Sequence, residues 1–500
     1  MRYKYLPLLI ICIILRLCCL ISRNSFYVAD EYWQSLEVAH KLVFGYGYLT
    51  WEWVYGIRSY IYVGWIALLY KILKVLRWDS VRNLTLLPCI VQAVFTAISD
   101  TYFIAWIHKV SKSSRQAYWS VWCYMTNVFL AYCATRTLTN VAETNLTCIA
   151  LYHYPWFKRQ SGSVLYLWFV CVACVMRPTA AIQWTPLCFF ALKECSSPVK
   201  TLFSKYIPIG LVVLISSTFL DSYFYGRLQL TWWNFLEFNV FHNVSANYSV
   251  QSLYWYFVLG LPVVLGPCIV PFYTAIASQM KDNIIDDIFS KVYQTVMFSL
   301  VLYSFIPHKE FRFVLPLCPL MVFVASYPIS QWTVSLKKIY TYMLSTSVLL
   351  VSLFVFYYLS YQHQVATVKV MQHLNSPRNN LLFLMPCHLT PLYSHLHTNI
   401  PTRFLRCDPN LKNDANYVEE SVEFYRNPSL WLEKEYSFGQ RRRPLPSHII
   451  CFTSLVPIIK NFLNSNHYEL WLQLYHGDFV PPKTGNHLLV FNRTALFEHT

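Results

Sequence analysis

The amino-acid sequence predicts an all-α polytopic membrane protein, with about 10–13 transmembrane helices, followed by a small C-terminal α/β domain. Of its 500 residues, 56% are hydrophobic and 13% are charged, whereas an ordinary globular protein has roughly 25% charged residues. Apolar runs long enough to cross a bilayer as helices recur through residues 1–360. Residues 361–500 instead are rich in proline, asparagine, histidine and charged residues, which indicates a soluble domain.

The first candidate span is an apolar run that Arg16 interrupts. It follows a short basic start, and no small-residue cleavage site precedes "RNSF". We therefore expect an uncleaved first span with a cytosolic start rather than a signal peptide. The candidate spans are residues 5–22, 59–76, 84–107, 117–133, 146–156, 163–176, 179–193, 205–220, 252–277, 286–306, 311–328 and 339–360.

The charge balance and the lack of internal repeats disfavour two other classes of protein, nucleic-acid-binding proteins and transporters. The net charge of +16 comes from scarce acids and basic loops rather than from one basic patch. Because no segment resembles an RNP motif or a zinc finger, nucleic acid is not an expected partner. A lipid or sugar transporter usually shows repeats with glycine- or proline-interrupted spans, and 12 glycines without a repeat do not favour one.

The tail alternates short β-type runs with helix-like segments, which predicts the α/β domain. The β-type runs are "NLLFLM", "HIICFTSL" and "HLLVFN", the helix-like segments are "YVEESVEFY" and "PSLWLEKEY", and "GQRRRPLP" is an expected exposed loop. Three tail cysteines can pair if the tail faces an oxidising lumen: Cys387, Cys407 and Cys451. Three sequons are usable only on that same side: Asn243, Asn247 and Asn492.

An acidic stretch, "DEYWQSLEVAHK", follows the first apolar run. Wound as a helix, it brings Asp30, Gln34, Glu37 and Lys41 within an arc of roughly 60°. This pattern predicts an amphipathic helix that lies along the membrane interface with its polar face outward. A solvated face accounts for Gln34 and Lys41. Asp30, with Glu31 beside it, is instead a candidate N-cap or general base.

A second cluster is "GYLTWEWVYGIRSY", in which Trp51 and Trp53 flank Glu52 and Arg58 follows. Aromatic rings cover the apolar faces of sugars, and a carboxylate between them accepts hydrogen bonds from hydroxyl groups. An interfacial tryptophan belt is an equal alternative, because such belts are common in membrane proteins.

A third cluster is "RTLTNVAET", where helical spacing places Arg136, Asn140 and Glu143 on one stripe. Polar groups at membrane depth are costly, so the stripe indicates either a protein-lined cavity or an internal ion pair, with the ion pair favoured. Arg177, in "MRPTAAIQW" between two apolar runs, has the same interpretation.

A fourth cluster, residues 304–317, carries His308, Lys309, Glu310 and Arg312 between two spans. Three potential cations in five residues at a membrane boundary are suited to hold a phosphate or pyrophosphate. An ordinary basic loop is the alternative, which the central acid and the dense aliphatic flanks disfavour.

The tail segment "MPCHLTPLYSHLH" contains Cys387, His388, His395 and His397. A zinc site is conceivable, but the spacing matches no standard ligand pattern. A structural role is favoured, and no metal is expected.

Together these motifs resemble the membrane mannosyltransferases of glycosyltransferase family 22, which use dolichyl-phosphate mannose. The similar segments are "DEYWQSLE", "GYLTWEW", "IRSY", "RTLTN", "RPTA" and "HKEFRFVLPL", and they span nearly the whole chain. Within the family, "MPCHLTPLYSHLH", "RFLRCDP" and "FYRNPSLWLEKEY" resemble the branch that adds the third mannose of the GPI core. Where relatives tend to have a "HPWHWY"-like segment, this chain has "VQSLYWYFVLGLP", which keeps Trp255 and Tyr256 without the histidines.

The resemblance implies a GT-C fold in the endoplasmic reticulum membrane, with a catalytic first lumenal loop at residues 23–58. It implies inverting transfer of mannose from dolichyl-phosphate mannose to the second mannose of a GPI-precursor glycolipid, in an α1,2 linkage. The tail is then also expected on the lumenal side. No cofactor beyond the donor substrate is expected, and no protein partner is predicted.

The same resemblance suggests roles for the candidate residues. Asp30 is the expected base and Glu31 the group that orients the acceptor, while the donor phosphate is expected at His308, Lys309 and Arg312. The residues expected to bind substrate are Gln34, Glu37, Trp51, Glu52, Trp53, Arg58, Arg136, Asn140 and Arg177. A sister enzyme acting on lipid-linked oligosaccharide, or adding the fourth GPI mannose, is the alternative.

Overall fold

The computed structural model describes residues 5–157, 163–241, 250–279, 286–411, 414, 416–436, 443–481 and 483–494, and these residues are mostly helical. In chain order the α-helices are α1 Leu6–Ile21, α2 Glu37–Phe44, α3 Trp51–Val54, α4 Tyr60–Val75, α5 Val81–Val110, α6 Ser114–Met125, α7 Val128–Cys133, α8 Thr139–His153, α9 Leu165–Met176, α10 Ala180–Lys193, α11 Pro198–Thr201, α12 Ile207–Tyr225, α13 Thr231–Leu236, α14 Leu261–Leu265, α15 Ile269–Gln279, α16 Asp287–Phe305, α17 Cys318–Trp332, α18 Lys338–Tyr361, α19 Ala366–Lys369, α20 Tyr393–Leu396, α21 Glu420–Arg426, α22 Pro428–Tyr436 and α23 Val456–Ser465. Wider π-helical turns occupy Tyr32–Leu36, Leu202–Tyr206, Glu237–Phe241 and Tyr256–Gly260, and tighter 3-10 turns occupy Gly266–Cys268, Phe311–Leu317 and Val370–His373.

Long apolar helices confirm the polytopic helical class. Within the described ranges, six helical stretches are long and apolar enough to span a bilayer: Val81–Val110, Pro198–Tyr225, Tyr256–Ser278, Asp287–Phe305, Phe311–Trp332 and Lys338–Tyr361. Leu6–Ile21 and Leu165–Met176 are shorter apolar helices. The run 117–133, predicted as one span, is divided into α6 and α7, because the Asn127 side chain accepts the main-chain N–H of Leu130 at 2.8 Å and starts a new helix.

Arg16, the charge inside the first apolar run, is paired within the protein. Its Nε and Nη2 donate to the two carboxylate oxygens of Asp100 at 2.7 and 3.0 Å. The Tyr124 hydroxyl also donates to Asp100, at 3.1 Å. Arg16 and Asp100 are 3% and 0% exposed, so this network satisfies two charges that burial would otherwise make costly.

The chain divides into two compact units, each assembled from separate stretches. Unit 1 comprises residues 1–21, 55–65 and 88–356, and it contains most of the apolar helices. Unit 2 comprises residues 22–54, 66–87 and 357–500. The stretch that follows the first helix therefore belongs to the same unit as the tail.

The tail of unit 2 contains the predicted sheet, with five strands: β1 Leu381–Leu384, β2 Thr402–Phe404, β3 His448–Phe452, β4 Tyr468–Tyr475 and β5 His487–Arg493. Their order is β2-β1-β3-β5-β4, with β1 parallel to β2 and β3, and the other two pairs antiparallel. The three predicted β-type runs are β1, β3 and β5, which are largely buried. The two strands that were not predicted, β2 and β4, are those at the edges of the sheet. Most side chains of β4 are exposed, which weakens the apolar pattern of its sequence.

The predicted tail helices and one predicted cysteine pair are also present. The two helix-like segments form α21 and α22, which pack Phe424 and Trp431 into a core with Leu382 and Ile449 of the sheet. Cys387 and Cys407 form a disulfide, and Cys451 is a buried free thiol. The sequons Asn243 and Asn247, and the first half of the predicted loop "GQRRRPLP", lie outside the described residues.

Candidate active site

The predicted helix after the first apolar run forms in unit 2 and begins at Asp30. The Ala29 carbonyl accepts the main-chain N–H groups of Tyr32 and Trp33, both at 3.0 Å, so Ala29 rather than Asp30 flanks the first turn. A π-helical turn over Tyr32–Leu36 precedes α2, which ends at Gly45 with a φ of 85°. Helices commonly end at a glycine in the left-handed conformation, because glycine has no Cβ that would disfavour it. We call residues 30–44 the acidic helix.

The expectation that the acidic helix turns a polar face outward at the membrane interface is wrong. Gln34 and Glu37 are 6% and 0% exposed, and Leu36 on the opposite face is also fully buried. Both faces are covered because the helix is buried inside unit 2, where tail residues contact its polar side. On the polar face, Asp30 at the start and Lys41 near the end keep intermediate exposure, whereas Gln34 and Glu37 between them are buried.

Glu37 joins the acidic helix to the tail. Its carboxylate accepts the main-chain N–H of Leu392 at 2.8 Å, the N–H of Ser394 at 3.1 Å, and the Ser394 hydroxyl. Burial raises the pKa of Glu37, and these hydrogen bonds oppose that shift. Glu37, expected to bind substrate, therefore fixes the position of the acidic helix against the tail.

Trp33 and His388 form the surroundings of Asp30. The Trp33 indole donates to the Thr390 carbonyl at 2.9 Å, and its ring lies 4.5 Å from the His388 ring and 5.3 Å from Phe404. Burial lowers the pKa of His388 to about 4, and the nearby charge of Asp30 opposes this shift. His388 is therefore neutral near pH 7, beside a half-buried carboxylate.

Glu31 points to a different partner. It is fully buried and accepts a hydrogen bond from the Arg23 guanidinium at 2.6 Å. The structure therefore gives Glu31 the task of neutralising Arg23, and its role in orienting an acceptor stays a prediction.

The tryptophan-flanked acid lies close to the acidic helix. Trp51 and Trp53 are buried on α3, while the half-buried Glu52 accepts a hydrogen bond from the Gln34 amide at 2.9 Å. Gln34 and Glu52, both predicted to bind substrate, are thus held in one hydrogen-bonded pair.

In unit 1 a buried ion pair joins two of the predicted clusters. Arg177 Nε donates to Glu143 Oε2 at 2.8 Å, and Arg177 Nη1 donates to Asn140 Oδ1 at 3.1 Å. This confirms the favoured internal ion pair. The predicted stripe is wrong for Arg136, because α8 begins only at Thr139.

Arg136 lies before α8, and its side chain contacts the preceding helix, α7. Its Nε donates to the Tyr132 carbonyl at 3.1 Å, and its guanidinium lies 4.2 Å from the centre of the Tyr132 ring. It is fully buried, and these contacts offset part of the cost of burying a charge.

The Glu310 carboxylate organises the segment that contains it. Arg312 donates to both carboxylate oxygens of Glu310 at 2.7 Å, and His308 lies 3.0 Å from the same carboxylate. Burial raises the pKa of Glu310, but the Arg312 charge and the bonds from both neighbours hold it well below its usual range. Lys309 instead donates to the carbonyls of Ile306 and Gln251, at 2.7 and 3.2 Å.

Arg58 and Arg312 act on Arg177 through their charges, and we call Arg58, Arg177 and Arg312, all in unit 1, the arginine cluster. The guanidinium groups of Arg177 and Arg312 lie 5.8 and 5.6 Å from the same Phe313 ring. Burial lowers the pKa of Arg177, Glu143 opposes this, and the charges of Arg312 and Arg58 add to the lowering. Like charges this close indicate a place where an anion would bind favourably.

The aromatic pair that remains in the histidine-free segment contacts the Glu310 region. The Trp255 ring lies 4.9 Å from Phe311, and the Tyr256 hydroxyl donates to the Glu310 carbonyl at 3.4 Å. These residues therefore support the predicted phosphate-binding segment by ring packing and one hydrogen bond, without a histidine.

Potential metal ligands were sought among the described residues. One group of three lies close enough for a single ion: Cys387, Cys407 and Glu419. The disulfide removes both of its thiolates as ligands. The three tail histidines pack instead on the acidic helix, with His395 at 5.3 Å from Tyr32 and His397 at 3.0 Å from His40, which supports their structural role.

Sequence reasoning did not anticipate that residues 386–397 cover the acidic helix, or that Arg23 pairs with Glu31. The signal for the first was present, since "DEYWQSLE" and "MPCHLTPLYSHLH" both belong to the family resemblance. Their contact required a fold that brings together positions more than 350 residues apart, which helical and strand periodicity do not reveal.

Known proteins resemble this chain along its whole length. A family profile described as Alg9-like mannosyltransferase family matches residues 7–397. GPI mannosyltransferase 3 of Drosophila melanogaster is 38% identical over 489 residues, covering 96% of this chain and 84% of the relative. GPI alpha-1,2-mannosyltransferase 3 of Bos taurus is 38% identical over 98% of this chain and 89% of its own length, and the Homo sapiens protein of that name is 37% identical over 95% and 84%.

A solved structure shares the fold. The crystal structure of ArnT from Cupriavidus metallidurans, bound to undecaprenyl phosphate, superposes with a TM-score of 0.59 over 99% of both chains at 10% identity. This similarity confirms the GT-C type of architecture. The profile match and the extended identity to curated relatives show that the chain belongs to the Alg9-like mannosyltransferase family.

Proposed function

We propose that this chain transfers mannose from dolichyl-phosphate mannose to the second mannose of a GPI-precursor glycolipid, forming an α1,2 linkage with inversion. The observation that carries the proposal is the identity of about 38% along nearly the whole chain to relatives named GPI alpha-1,2-mannosyltransferase 3. The same name recurs in relatives from Bos taurus and Homo sapiens, and it favours the third-mannose reaction over those of sister enzymes.

The reaction needs a base at the acceptor and positive charge at the leaving group. The acceptor hydroxyl oxygen attacks the anomeric carbon, its proton passes to a carboxylate, and the bond from that carbon to the phosphate oxygen breaks. Dolichyl phosphate leaves as an anion, so it requires cations rather than a general acid.

Asp30 is the base in this proposal. It stands in the first turn of the acidic helix, half-buried and therefore within reach of a substrate, with neutral His388 beside it. Glu31 and Glu37 are fully buried and bonded to Arg23 and to the tail main chain. Glu52 is bonded to Gln34, a pair suited to bind sugar hydroxyls.

The donor phosphate is assigned to unit 1. The arginine cluster there combines three guanidinium groups, two of which are held by the carboxylates of Glu143 and Glu310. Bidentate guanidinium groups suit phosphate oxygens, and the carboxylates hold two of the arginines in fixed positions until the phosphate arrives. Lys309 is buried beside this segment and donates to two main-chain carbonyls, and His308 lies against Glu310.

The setting that fits this chemistry is the endoplasmic reticulum membrane, with the active site facing the lumen. Both substrates are lipid-linked, so an enzyme with several apolar helices holds them in the bilayer while the sugars react at its edge. The Cys387–Cys407 disulfide fits an oxidising lumen for unit 2.

Cells lacking this activity provide the test. Deleting the chain is expected to cause a GPI precursor with two mannoses to accumulate, as measured by mass spectrometry of extracted lipids, and re-expression should restore the complete precursor. An unchanged precursor profile after deletion would contradict the proposal. A precursor with three mannoses, or a truncated lipid-linked oligosaccharide, would assign the chain to a sister reaction.

A further inference from the structure

Unit 2 contains a cavity of about 480 Å³, none of whose lining residues was predicted to bind substrate. Its walls come from β2 and the residues that follow as far as Asp408, from residues 417–420, and from Tyr48. Sites for small ligands commonly have volumes of roughly 300–1,000 Å³, so the cavity is large enough for one or two sugar rings.

One wall of the cavity is aromatic. Tyr48, Phe404 and Tyr417 all line it, and Tyr48 meets Phe404 edge to face with ring centres 4.8 Å apart. The Tyr417 hydroxyl donates to the Asp408 carbonyl, which fixes the ring at the rim. Rings of this kind cover the apolar face of a sugar while their hydroxyls stay hydrated.

The cavity is also lined by charged groups in fixed positions. Arg403 donates to Glu420 at 2.8 Å and to Glu435 at 2.7 Å, and its guanidinium lies 4.6 Å from the centre of the Trp431 ring. A guanidinium clamped between two carboxylates and a ring keeps its orientation. Its carboxylate partners retain lone pairs that accept hydrogen bonds from hydroxyl groups.

The charges of the cavity balance. Three arginines line it, Arg403, Arg406 and Arg443, together with three carboxylates, those of Asp408, Glu420 and Glu435. A phosphate site would need an excess of cations. An equal set of donors and acceptors beside aromatic rings suits a neutral, polyhydroxylated ligand instead.

The cavity shares a wall with the surroundings of Asp30. Phe404, which lines the cavity, also lies 5.3 Å from Trp33 and 5.7 Å from His388. Tyr48 lies 5.9 Å from Trp33 as well. A ligand in the cavity is therefore separated from the acidic helix by one layer of rings within the same unit.

We propose that this cavity binds a saccharide, namely the non-reacting sugars of the acceptor glycolipid. Its identification as the acceptor rests on the proposed function, whereas its affinity for a saccharide does not. The cavity would then hold the glycan while its terminal mannose reaches Asp30. Such remote contacts place an acceptor hydroxyl correctly without touching the reacting atoms.

Two variants of the full-length protein test this site. Tyr417→Ala removes an exposed ring, and Asp408→Asn removes a charge at constant shape while it keeps the main-chain carbonyl that Tyr417 uses. In a transfer assay with purified protein, each is expected to raise KM for the acceptor about tenfold. The turnover number and the KM for dolichyl-phosphate mannose should stay within about twofold of the parent values. Trp471→Ala and Asp478→Asn, at exposed positions of the same unit, are the matched controls and should leave all three constants unchanged.

A binding measurement separates this proposal from the proposed reaction. A soluble α-linked mannose disaccharide should give saturation-transfer NMR signals with the full-length Asp30→Asn protein, and Asp408→Asn or Tyr417→Ala added to it should abolish them. Disaccharide binding by a parent protein that transfers no mannose would overturn the proposed function and leave the saccharide site standing. Normal transfer with an unchanged acceptor KM in both cavity variants would overturn the saccharide site alone, and a rise in donor KM would assign the cavity to the donor instead.

Discussion

The Glu37 carboxylate accepts the main-chain N–H of Ser394 at 3.1 Å, although 357 positions separate the two residues. This bond joins the acidic helix to the tail segment whose His388 lies beside Asp30. A residue expected to touch substrate therefore acts at a distance from it, by holding the helix that carries the proposed base.

Replacing Glu37 by alanine should destabilise unit 2. Two main-chain N–H groups would lose a buried charged acceptor, which is expected to lower the free energy of unfolding by about 3 kcal/mol. Thermal unfolding of the purified protein measures this change. Glu469→Ala, at an exposed position of β4, is the control and should change stability by less than about 0.5 kcal/mol. Equal effects of the two variants would mean that the Glu37 bonds do not stabilise the contact.

Stability should depend on pH through His395. Burial lowers its pKa to about 3, and the charges of Arg23 and His40 contribute to the lowering. The folded state therefore binds fewer protons than the unfolded chain, so stability is complete above the ordinary pKa of 6.5 and is lost as the pH falls toward 3. His395→Phe, which keeps a ring against Tyr32, should reduce the dependence of unfolding temperature on pH between 6.5 and 4.5, while the buried His388 continues to contribute. His373→Phe, at an exposed position, should leave it as in the parent.

Arg177 should be sensitive even to a conservative change. Lysine keeps the charge but not the fork that binds Glu143 and Asn140 together, so Arg177→Lys is expected to lower kcat/KM for dolichyl-phosphate mannose about 100-fold. Arg378→Lys, at an exposed position of unit 2, provides the matched control. A change of less than about twofold in Arg177→Lys would remove Arg177 from the donor site.

The Arg16–Asp100 pair predicts a non-additive effect in the membrane helices. Arg16→Met alone leaves a buried carboxylate without its counter-charge and should cost about 3–5 kcal/mol, seen as a lower unfolding temperature in detergent. Adding Asp100→Leu removes that uncompensated charge and should restore part of the loss. Additive destabilisation in the double variant would show that the two side chains are not energetically coupled.

Composition and periodicity predicted the class of the fold well, because apolar runs and buried strands carry their signal locally. The runs that became β1 and β3 and the helix at residues 30–43 are examples. The edge strand β4 was missed because its exposed residues break the apolar pattern. The polar face of the acidic helix was misplaced in solvent because periodicity shows that a face is polar but not what covers it.

The candidate residues were predicted better than their partners. Glu143 and Arg177 lie on different helical segments, and the cost of isolated charges in an apolar region correctly indicated a pair. The contacts of Glu310 with His308 and Arg312 could be predicted from the sequence, since all three residues lie within five positions. The cavity of unit 2 could not be predicted in this way, because it joins Tyr48 to residues beyond position 400.

The central claim is that Asp30 takes the proton in third-mannose transfer. The most direct test is the mass profile of GPI precursors in cells that express only Asp30→Asn, with protein level and unfolding temperature matched to the parent. The account predicts a two-mannose precursor in place of the complete one, because an amide of the same shape cannot act as a base. A complete precursor at parental abundance would contradict it.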